Sequence, residues 1–274
     1  MATIGMLTNK EFADNIIGVS RHQFIYGRNG EERKEFLQDV VSKFPIILDA
    51  SSPIGIYIFD KGLPEINKDK EKLDYIAINV FYERYLDYLI SSNIMDTTLD
   101  QIDEKILNKR SEMFLLKINQ FFGNKEKKSV SSFRELKNTL EEIRDSYYCE
   151  FVKYINSGNM YDFSKDLRIK YINIEAFVKL YKKMINIQSH LSVIFDQQQI
   201  LSLGSQKATN KLVGCRINSD LSMKIACEPE EWKTYYDNKG NLIAACHDYG
   251  TIDLDGSLDE HVKKMKKKWQ TNSD

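Results

Sequence analysis

The sequence is poor in proline and cysteine, and each shortage excludes a class of protein. Four prolines in 274 residues argue against a loop-dominated fold and favour a helix-rich one. The four cysteines, Cys149, Cys215, Cys227 and Cys246, are scattered without C-x-x-C spacing, which argues against a disulfide framework and a zinc site. We therefore expect reduced thiols, as in a cytosolic protein.

Charge of one sign and long apolar runs are also missing. The 39 basic and 40 acidic residues balance to a net charge of -1, so bulk charge favours neither nucleic acid nor a membrane surface. The N-terminal residues do not have the pattern of a signal peptide, and no uncharged stretch approaches the roughly 18 residues that span a bilayer. We expect a soluble cytoplasmic protein.

The first sixty residues predict a strand–turn–helix–strand unit after a short helix over about 7–19. A strand is expected at 23–26, a helix from about 31 to 43, and a buried strand in the apolar run PIILDAS at 45–51. Residues 55–60 predict a further strand or a strand-like loop. This order is a βαβ unit, which is the context that a phosphate-binding loop needs.

The middle of the chain changes to helical periodicity. Apolar and aromatic residues recur at helical spacing over about 73–92, 99–122 and 132–156, and residues 123–132 predict a linker. The aromatic stripe indicates core packing. Beyond it we expect a helix at 173–188, a buried strand at 190–196, a helix at 205–214, a strand at 221–229, a hairpin with a following strand at 232–255, and a terminal helix.

The segment FIYGRNGEERKEFL resembles a phosphate-binding loop without its usual chemistry. Gly27 takes the first glycine position of the G-x-x-x-x-G-K-[ST] pattern, Gly30 completes the turn, and Arg33 and Lys34 stand at the lysine and hydroxyl positions. Glu32 replaces the second glycine of the pattern, and with Glu31 it puts acids at a helix N-terminus that normally receives an anion. The frame indicates a nucleotide-binding ancestor whose hydrolysis is lost.

A second segment, LSVIFDQQQ, has the form of a Walker B strand, in which an apolar run ends on an acid. Asp196 could hold a metal ion through water, but Gln197 has no carboxylate that could accept a proton from an attacking water. Catalytic roles for Asp196 and Gln197 are therefore interpreted as vestigial. The same applies to a nucleotide-binding set of Gly27, Gly30, Arg33 and Lys34.

With these motifs, residues 20–60 and 173–255 resemble the bacterial relatives of the origin-recognition-complex AAA+ ATPases. In that family an arginine precedes a sensor-like strand, and a segment ending in H-D-Y returns to the sheet. The matching residues of this sequence are Arg216, the strand 221–226 and His247-Asp248-Tyr249. The resemblance implies an AAA+-type sheet with nucleotide-dependent assembly, adds Arg216 to the nucleotide-binding set, and makes a role in antiviral defence conceivable. The residues 73–156 correspond only as an insert.

These patterns together predict an α/β, P-loop NTPase-like fold of AAA+ type, with a mostly parallel sheet and a large helical insert. One composite domain, 1–274, would contain a P-loop-like core (1–60 and 173–255), the helical insert (61–172) and a basic C-terminal helix or tail (256–274). We expect a catalytically inactive regulatory or assembly subunit that works through a protein partner or homo-oligomer, without membrane contact, metal site or cofactor.

Two alternatives stay open. The chain could be an ATPase or ATP-binding subunit that uses Arg33 or Lys34 for phosphates and Asp196 for magnesium, with ATP and magnesium as its cofactors. It could also bind nucleic acid through its lysine-rich terminal helix, where lysines would meet phosphates and a tryptophan would stack on bases. The residues concerned are Lys263, Lys264, Lys266, Lys267, Lys268 and Trp269.

Overall fold

The computed structural model describes residues 9–27, 31–59, 63–64, 75–122, 129–157, 173–196, 202–214, 220–245, 247–256 and 263. This part of the chain forms seven helices and five strands. The helices are α1 (Asn9–Ile16), α2 (Glu31–Ser42), α3 (Tyr75–Gln101), α4 (Glu104–Phe122), α5 (Phe133–Ser157), α6 (Ile174–Ile185) and α7 (Leu203–Gly214). The strands are β1 (His22–Tyr26), β2 (Ile54–Phe59), β3 (Leu191–Asp196), β4 (Leu221–Cys227) and β5 (Tyr249–Asp253).

The five strands form one sheet in the order β2-β3-β4-β1-β5, and every pairing is parallel. Parallel strands require crossover connections, which the helices supply. The predicted fold class, an α/β fold of P-loop NTPase type, is confirmed. Because all strands run the same way, their carboxyl ends lie along a single edge of the sheet.

Side-chain alternation along the strands builds a separate core on each face of the sheet. Ile25, Ile194 and Ala226 pack with α1 and α2 on one face. Phe24, Val193 and their neighbours pack with the helices of the middle segment on the other. Both faces are covered, as expected for a parallel sheet whose strands are nearly continuous apolar runs.

Helices α3 and α5 form the centre of the larger helical layer. Phe81 contacts Phe151 edge-on, with ring centroids 5.5 Å apart, so the aromatic stripe is core, as the sequence predicts. Helix α3 runs to Gln101, further than its predicted end at 92, and α4 begins only after Asp103, whose carboxylate accepts a hydrogen bond from the backbone N–H of Lys105 at 2.7 Å. Among the described residues, none of the helices has the length and apolar character needed to cross a bilayer.

The predicted buried strand at 45–51 is wrong: these residues form an irregular connection, and β2 begins at Ile54. Asp49 has a left-handed backbone conformation with φ of 60°, which interrupts an extended strand. The Asp49 N–H donates to Ile185 O at 3.1 Å and the Ile46 N–H donates to Gln101 Oε1 at 2.7 Å. These two backbone donors therefore bond to neighbouring helices instead of to the sheet.

The Asp49 carboxylate joins two helices at this connection. Arg110 of α4 donates to its Oδ1 at 3.1 Å and to its Oδ2 at 2.5 Å, and Asn186, the C-cap of α6, donates to Oδ1 at 2.8 Å. The hydrogen bonds from Arg110 and then Asn186 lower the pKa of Asp49 to about 2. We call this arrangement the Asp49 clamp.

The predicted hairpin within 232–255 is reduced to one isolated antiparallel bridge between Tyr236 and Leu242. Asp237 Oδ1 accepts the backbone N–H groups of Lys239 and Asn241, and Asn210 of α7 donates to the carbonyls of Thr234 and Tyr236. The side chains of Asp237 and Asn210 therefore form hydrogen bonds with backbone N–H and C=O groups that would pair with each other in a longer hairpin. The strand expected to follow is confirmed as β5, which pairs in parallel with β1.

Asp87 of α3 is an ionisable group buried in the helical layer. Its side chain lies beside the start of α6 with only 7% of its surface exposed. Burial raises its pKa to about 8, against smaller opposing effects of a backbone hydrogen bond from Ile174 and the charge of Lys211. Between pH 4 and 8 the folded protein therefore holds a proton that the unfolded chain has released.

Asp87→Asn should flatten the pH dependence of stability. Because the folded pKa is raised, wild-type stability falls as pH rises from about 4 to 8, by at most about 1.4 kcal/mol per pH unit from this group. Urea unfolding at several pH values in this range should show the Asp87→Asn variant gaining stability relative to wild type as pH rises. Glu112→Gln, on the exposed face of α4, is the control and should leave the slope unchanged; an unchanged slope in Asp87→Asn would contradict the assignment.

Candidate functional site

The carboxyl ends of β1 and β3 bring the two sequence motifs to the same edge of the sheet. Strand β1 ends at Tyr26, and the N–H of the following Gly27 donates to Cys227 O at 3.2 Å. Asp196 is the last residue of β3 and is 1% exposed. In open parallel sheets, ligands bind in the crevice outside the carboxyl ends of the strands, so this edge is the candidate site.

Arg33, in the first turn of α2, lies inside this edge. Its Nη1 donates to Gly27 O at 2.7 Å, and its Nη2 lies 3.0 Å from Asp196 Oδ1. The two side chains are 3% and 1% exposed, so the ion pair is buried. The guanidinium thus connects the end of β1 with the end of β3, which are separated by β4 in the sheet.

Tyr57 of β2 completes the contacts of the Asp196 carboxylate. Its hydroxyl donates to Asp196 Oδ2 at 2.8 Å. Burial, followed by this hydrogen bond and the charge of Asp196, raises the pKa of Tyr57 well above its usual range, so the hydroxyl stays a donor. One carboxylate oxygen therefore faces a cation and the other accepts a hydrogen bond.

The turn after β1 is closely packed. A Cβ atom placed on Gly27 would lie 3.3 Å from Leu254 Cβ and Cδ1 and 3.6 Å from Arg33 Cδ. Leu254 in turn donates its N–H to Tyr26 O at 2.8 Å. Leu254 and Arg33 thus fill the space against the first glycine of the loop-like motif.

Acidic groups outnumber cations around Arg33. Glu231 is half-buried nearby, and its pKa is raised chiefly by burial, with the backbone hydrogen bond of Glu228 and the charge of Arg33 opposing. Glu31 and Glu32 occupy the first turn of α2, where they complement the helix dipole. This arrangement favours a cation from the protein and disfavours a bound anion.

Lys34 takes no part in the Asp196 contacts. Its ammonium donates to Glu31 Oε1 at 2.6 Å on the surface, and that hydrogen bond raises its pKa. Three other predicted site residues, Gly30, Gln197 and Arg216, lie outside the described residues. So do Lys264, Lys266, Lys267, Lys268 and Trp269, whereas Lys263 is an exposed helical residue.

The H-D-Y segment is divided between roles in the turn and in the sheet. His247 is exposed, and the buried Asp248 accepts the backbone N–H of Ala244 at 2.7 Å. Tyr249 begins β5 and stacks its ring against that of Tyr235, with centroids 5.9 Å apart. The structure thus gives Asp248 and Tyr249 local packing and hydrogen-bonding roles.

Sequence reasoning missed Tyr57 as a site residue. The segment 55–60 could be a strand or a loop on its pattern alone, and nothing in the sequence places it beside β3. The available signal was a tyrosine near the carboxyl end of an otherwise apolar run, since a buried tyrosine hydroxyl usually finds a polar partner. The pairing of Tyr57 with Ile194 in neighbouring strands sets its hydroxyl within reach of Asp196.

A family model described as ORC-CDC6-like matches residues 54–268. The chain belongs to the ORC-CDC6-like family. This confirms the resemblance to the origin-recognition AAA+ ATPases, although the matched range differs from the expected one. The ORC-CDC6-like match includes the helical insert and Asp196, and it begins after Gly27 and Arg33. No curated protein and no solved structure matches the chain significantly.

The described residues do not fit a magnesium ion at the Walker-B-like position of this ORC-CDC6-like chain. A magnesium ion is held by carboxylate oxygens and water in near-octahedral geometry. Asp196 is the carboxylate at the site, and its two oxygens face Arg33 Nη2 and the Tyr57 hydroxyl. An ion there would first have to displace a buried internal cation.

Arg33→Met should destabilise the protein by about 3–5 kcal/mol, because it leaves the Asp196 carboxylate buried without its cation. The double variant Arg33→Met/Asp196→Asn should lose clearly less than the sum of the two single variants, with a coupling of about 1–3 kcal/mol. Urea unfolding of the four proteins measures the cycle.

The exposed pair formed by Lys43 and Asp39 of α2, with Nζ and Oδ2 2.7 Å apart, serves as the control. Its coupling in the cycle Lys43→Met/Asp39→Asn should be no more than about 0.5 kcal/mol. Additive losses at Arg33 and Asp196 would contradict a coupled buried pair.

Proposed function

We propose that this chain is a catalytically inactive AAA+-like subunit that regulates or assembles a complex through protein contacts. The buried ion pair between Arg33 and Asp196 is the observation that carries the proposal. It puts an internal cation in front of the carboxylate that would otherwise hold magnesium, at the lysine position of the loop-like motif. Tyr57 occupies the second oxygen of the same carboxylate.

The free-energy cost of breaking the ion pair between Arg33 and Asp196 favours a protein in which the pair stays formed. Moving Arg33 away to admit a magnesium–nucleotide would leave its guanidinium and the Gly27 carbonyl to find new partners. Breaking a buried ion pair costs several kcal/mol unless the incoming group replaces each lost contact. Glu32 and Glu231 add repulsion toward a phosphate at this edge.

The alternative is an ATP-binding or ATP-hydrolysing subunit, and membership of an AAA+-related family favours it. On this alternative Arg33 or Lys34 would contact phosphate and Asp196 would hold magnesium after the ion pair opens. The two functions make opposite predictions about ligand-induced stability, because a ligand that binds only the folded state raises the free energy of unfolding.

Millimolar ATP with magnesium should leave the unfolding free energy of the wild-type protein unchanged. A site with a Kd one hundredth of the ligand concentration would instead add about 2.7 kcal/mol. Urea unfolding with and without the nucleotide, together with isothermal titration at high protein concentration, measures the difference. Magnesium chloride alone is the matched control for salt effects.

Binding at micromolar affinity would overturn the inactive-subunit proposal. The Asp196→Ala variant then separates two readings of such binding. Turnover that this substitution abolishes, in a variant that thermal melting shows to be folded, would establish the ATPase alternative, whereas turnover that survives it would indicate a contaminating activity.

We extend the proposal to a role of this subunit in antiviral defence, on the family resemblance alone. The expected outcome is that deleting the gene from its native host raises the plating efficiency of phage, and that a plasmid copy restores protection. Equal plating with and without the gene across a phage panel would refute this extension and leave the inactive-subunit proposal standing.

A further inference from the structure

An open groove of about 200 Å³ lies between α4 and α6 on the helical layer. Its apolar lining consists of Met113 and Phe114 from α4 and Leu180 and Met184 from α6. Phe114 is 4% exposed and Met184 is 9% exposed, so they form the floor, whereas Met113 is 62% exposed and stands at the rim.

The remaining lining of the groove is basic. Arg110, Lys117 and Lys183 line it together with the apolar residues, and no acidic residue is among its described lining. Arg110 is held by Asp49 in the Asp49 clamp. Lys117 and Lys183 are exposed and form no ion pair within the described ranges, so two positive charges border an apolar floor without partners.

An apolar stripe on α4 extends the groove along the helix. Ile106, Met113 and Leu116 are 46%, 62% and 54% exposed. Their spacings of seven and three residues put them on one side of an α-helix. Exposed large apolar residues scattered singly need no explanation, but three on one helix face beside an apolar groove mark an interaction surface.

We propose that this groove and stripe bind an acidic amphipathic helix of a partner protein. Aliphatic anchors of such a helix would cover Met113, Leu116 and the groove floor, in the helix-in-groove mode whose contacts repeat at three, four and seven residues. Its flanking carboxylates would face Lys117 and Lys183. Two methionines in the lining suit this role, because their side chains adapt to an incoming surface.

The composition of the groove favours a protein helix over nucleic acid. Single-stranded nucleic acid is held by exposed aromatic rings that stack on bases, and Phe114, the aromatic side chain in the described lining of the groove, is buried. A second copy of this chain would have to offer an acidic apolar helix face to occupy the same groove.

The docking site rests on the proposed function in one respect, since it names where the subunit would contact its partner. The two proposals fail independently. Stabilisation by ATP and magnesium would overturn the inactive-subunit proposal without affecting the groove, and absence of peptide binding would remove the groove while leaving the inactive subunit intact.

The test uses two synthetic helical peptides of about 20 residues, a length that supports helix formation. Both carry leucines at helical spacing; one has glutamates and the other lysines at the flanking positions. Fluorescence anisotropy with the full-length protein should show the glutamate peptide binding at least about tenfold more tightly than the lysine peptide, because only its charges complement Lys117 and Lys183.

Three variants sharpen the test. Lys117→Glu/Lys183→Glu should reverse the preference between the two peptides, and Met113→Glu should weaken binding of the glutamate peptide at least about tenfold. Lys10→Glu/Lys233→Glu makes the same charge change at exposed positions outside the groove and should leave the preference intact. Thermal melts confirm that each variant is folded.

Four results would overturn the proposal. Two concern the peptides: neither peptide binds the wild-type protein, or the Lys117→Glu/Lys183→Glu variant keeps the wild-type preference. The other two reveal a different occupant: self-association in sedimentation that Met113→Glu abolishes would assign the groove to a second copy, and strongly salt-dependent DNA binding that Lys117→Glu/Lys183→Glu abolishes would assign it to nucleic acid.

Discussion

The buried contact between Arg33 and Asp196 is the constraint on which the carboxyl edge of the sheet depends. Two strands, β1 and β3, end there on either side of β4, and neighbouring strands lie about 4.8 Å apart. The planar guanidinium reaches both ends, with one nitrogen on Gly27 O and another against Asp196. A lysine offers a single ammonium centre and could not match this two-pronged geometry.

This contact explains why several neighbouring features are arranged as they are. Arg33 supplies a positive charge beside one oxygen of Asp196, and Tyr57 donates a hydrogen bond to the other. Leu254 packs against Gly27. The acids in the first turn of α2, Glu31 and Glu32, complement the helix dipole. Arg33, in the first turn of α2, thereby makes this edge of the sheet part of the packed protein.

Much of the fold was accessible from sequence because its strands are compact apolar runs that end on polar residues. The strands ending at Tyr26 and Asp196 were predicted within one residue of their observed bounds. Arg33 and Asp196 were both predicted as site residues, but their contact depends on a strand order that no local pattern encodes. The strand predicted at 45–51 is wrong for the same reason, since hydrogen-bond partners on α3 and α6, rather than its apolar composition, determine the conformation of these residues.

Buried polar groups were the least predictable feature. Lys224 reads as an ordinary polar residue within a strand, yet it is fully buried and its Nζ donates to Val19 O and Arg21 O at 2.7 and 2.6 Å. Burial holds its pKa well below the usual range. The buried side chain is satisfied because the chain before β1 offers it two backbone carbonyls, and that arrangement exists only after the strands have assembled.

The Asp49 clamp has a consequence for how the helical layer meets another molecule. Its carboxylate contacts Arg110 of α4 and Asn186 at the end of α6, and Phe114 of α4 packs edge-on against Phe177 of α6 with ring centroids 5.8 Å apart, so contacts within the chain already hold the two helices together. A surface of this kind loses little conformational entropy on association, so the ordering cost falls almost entirely on the incoming chain. Affinity would then depend mainly on how strongly that chain is already helical in isolation.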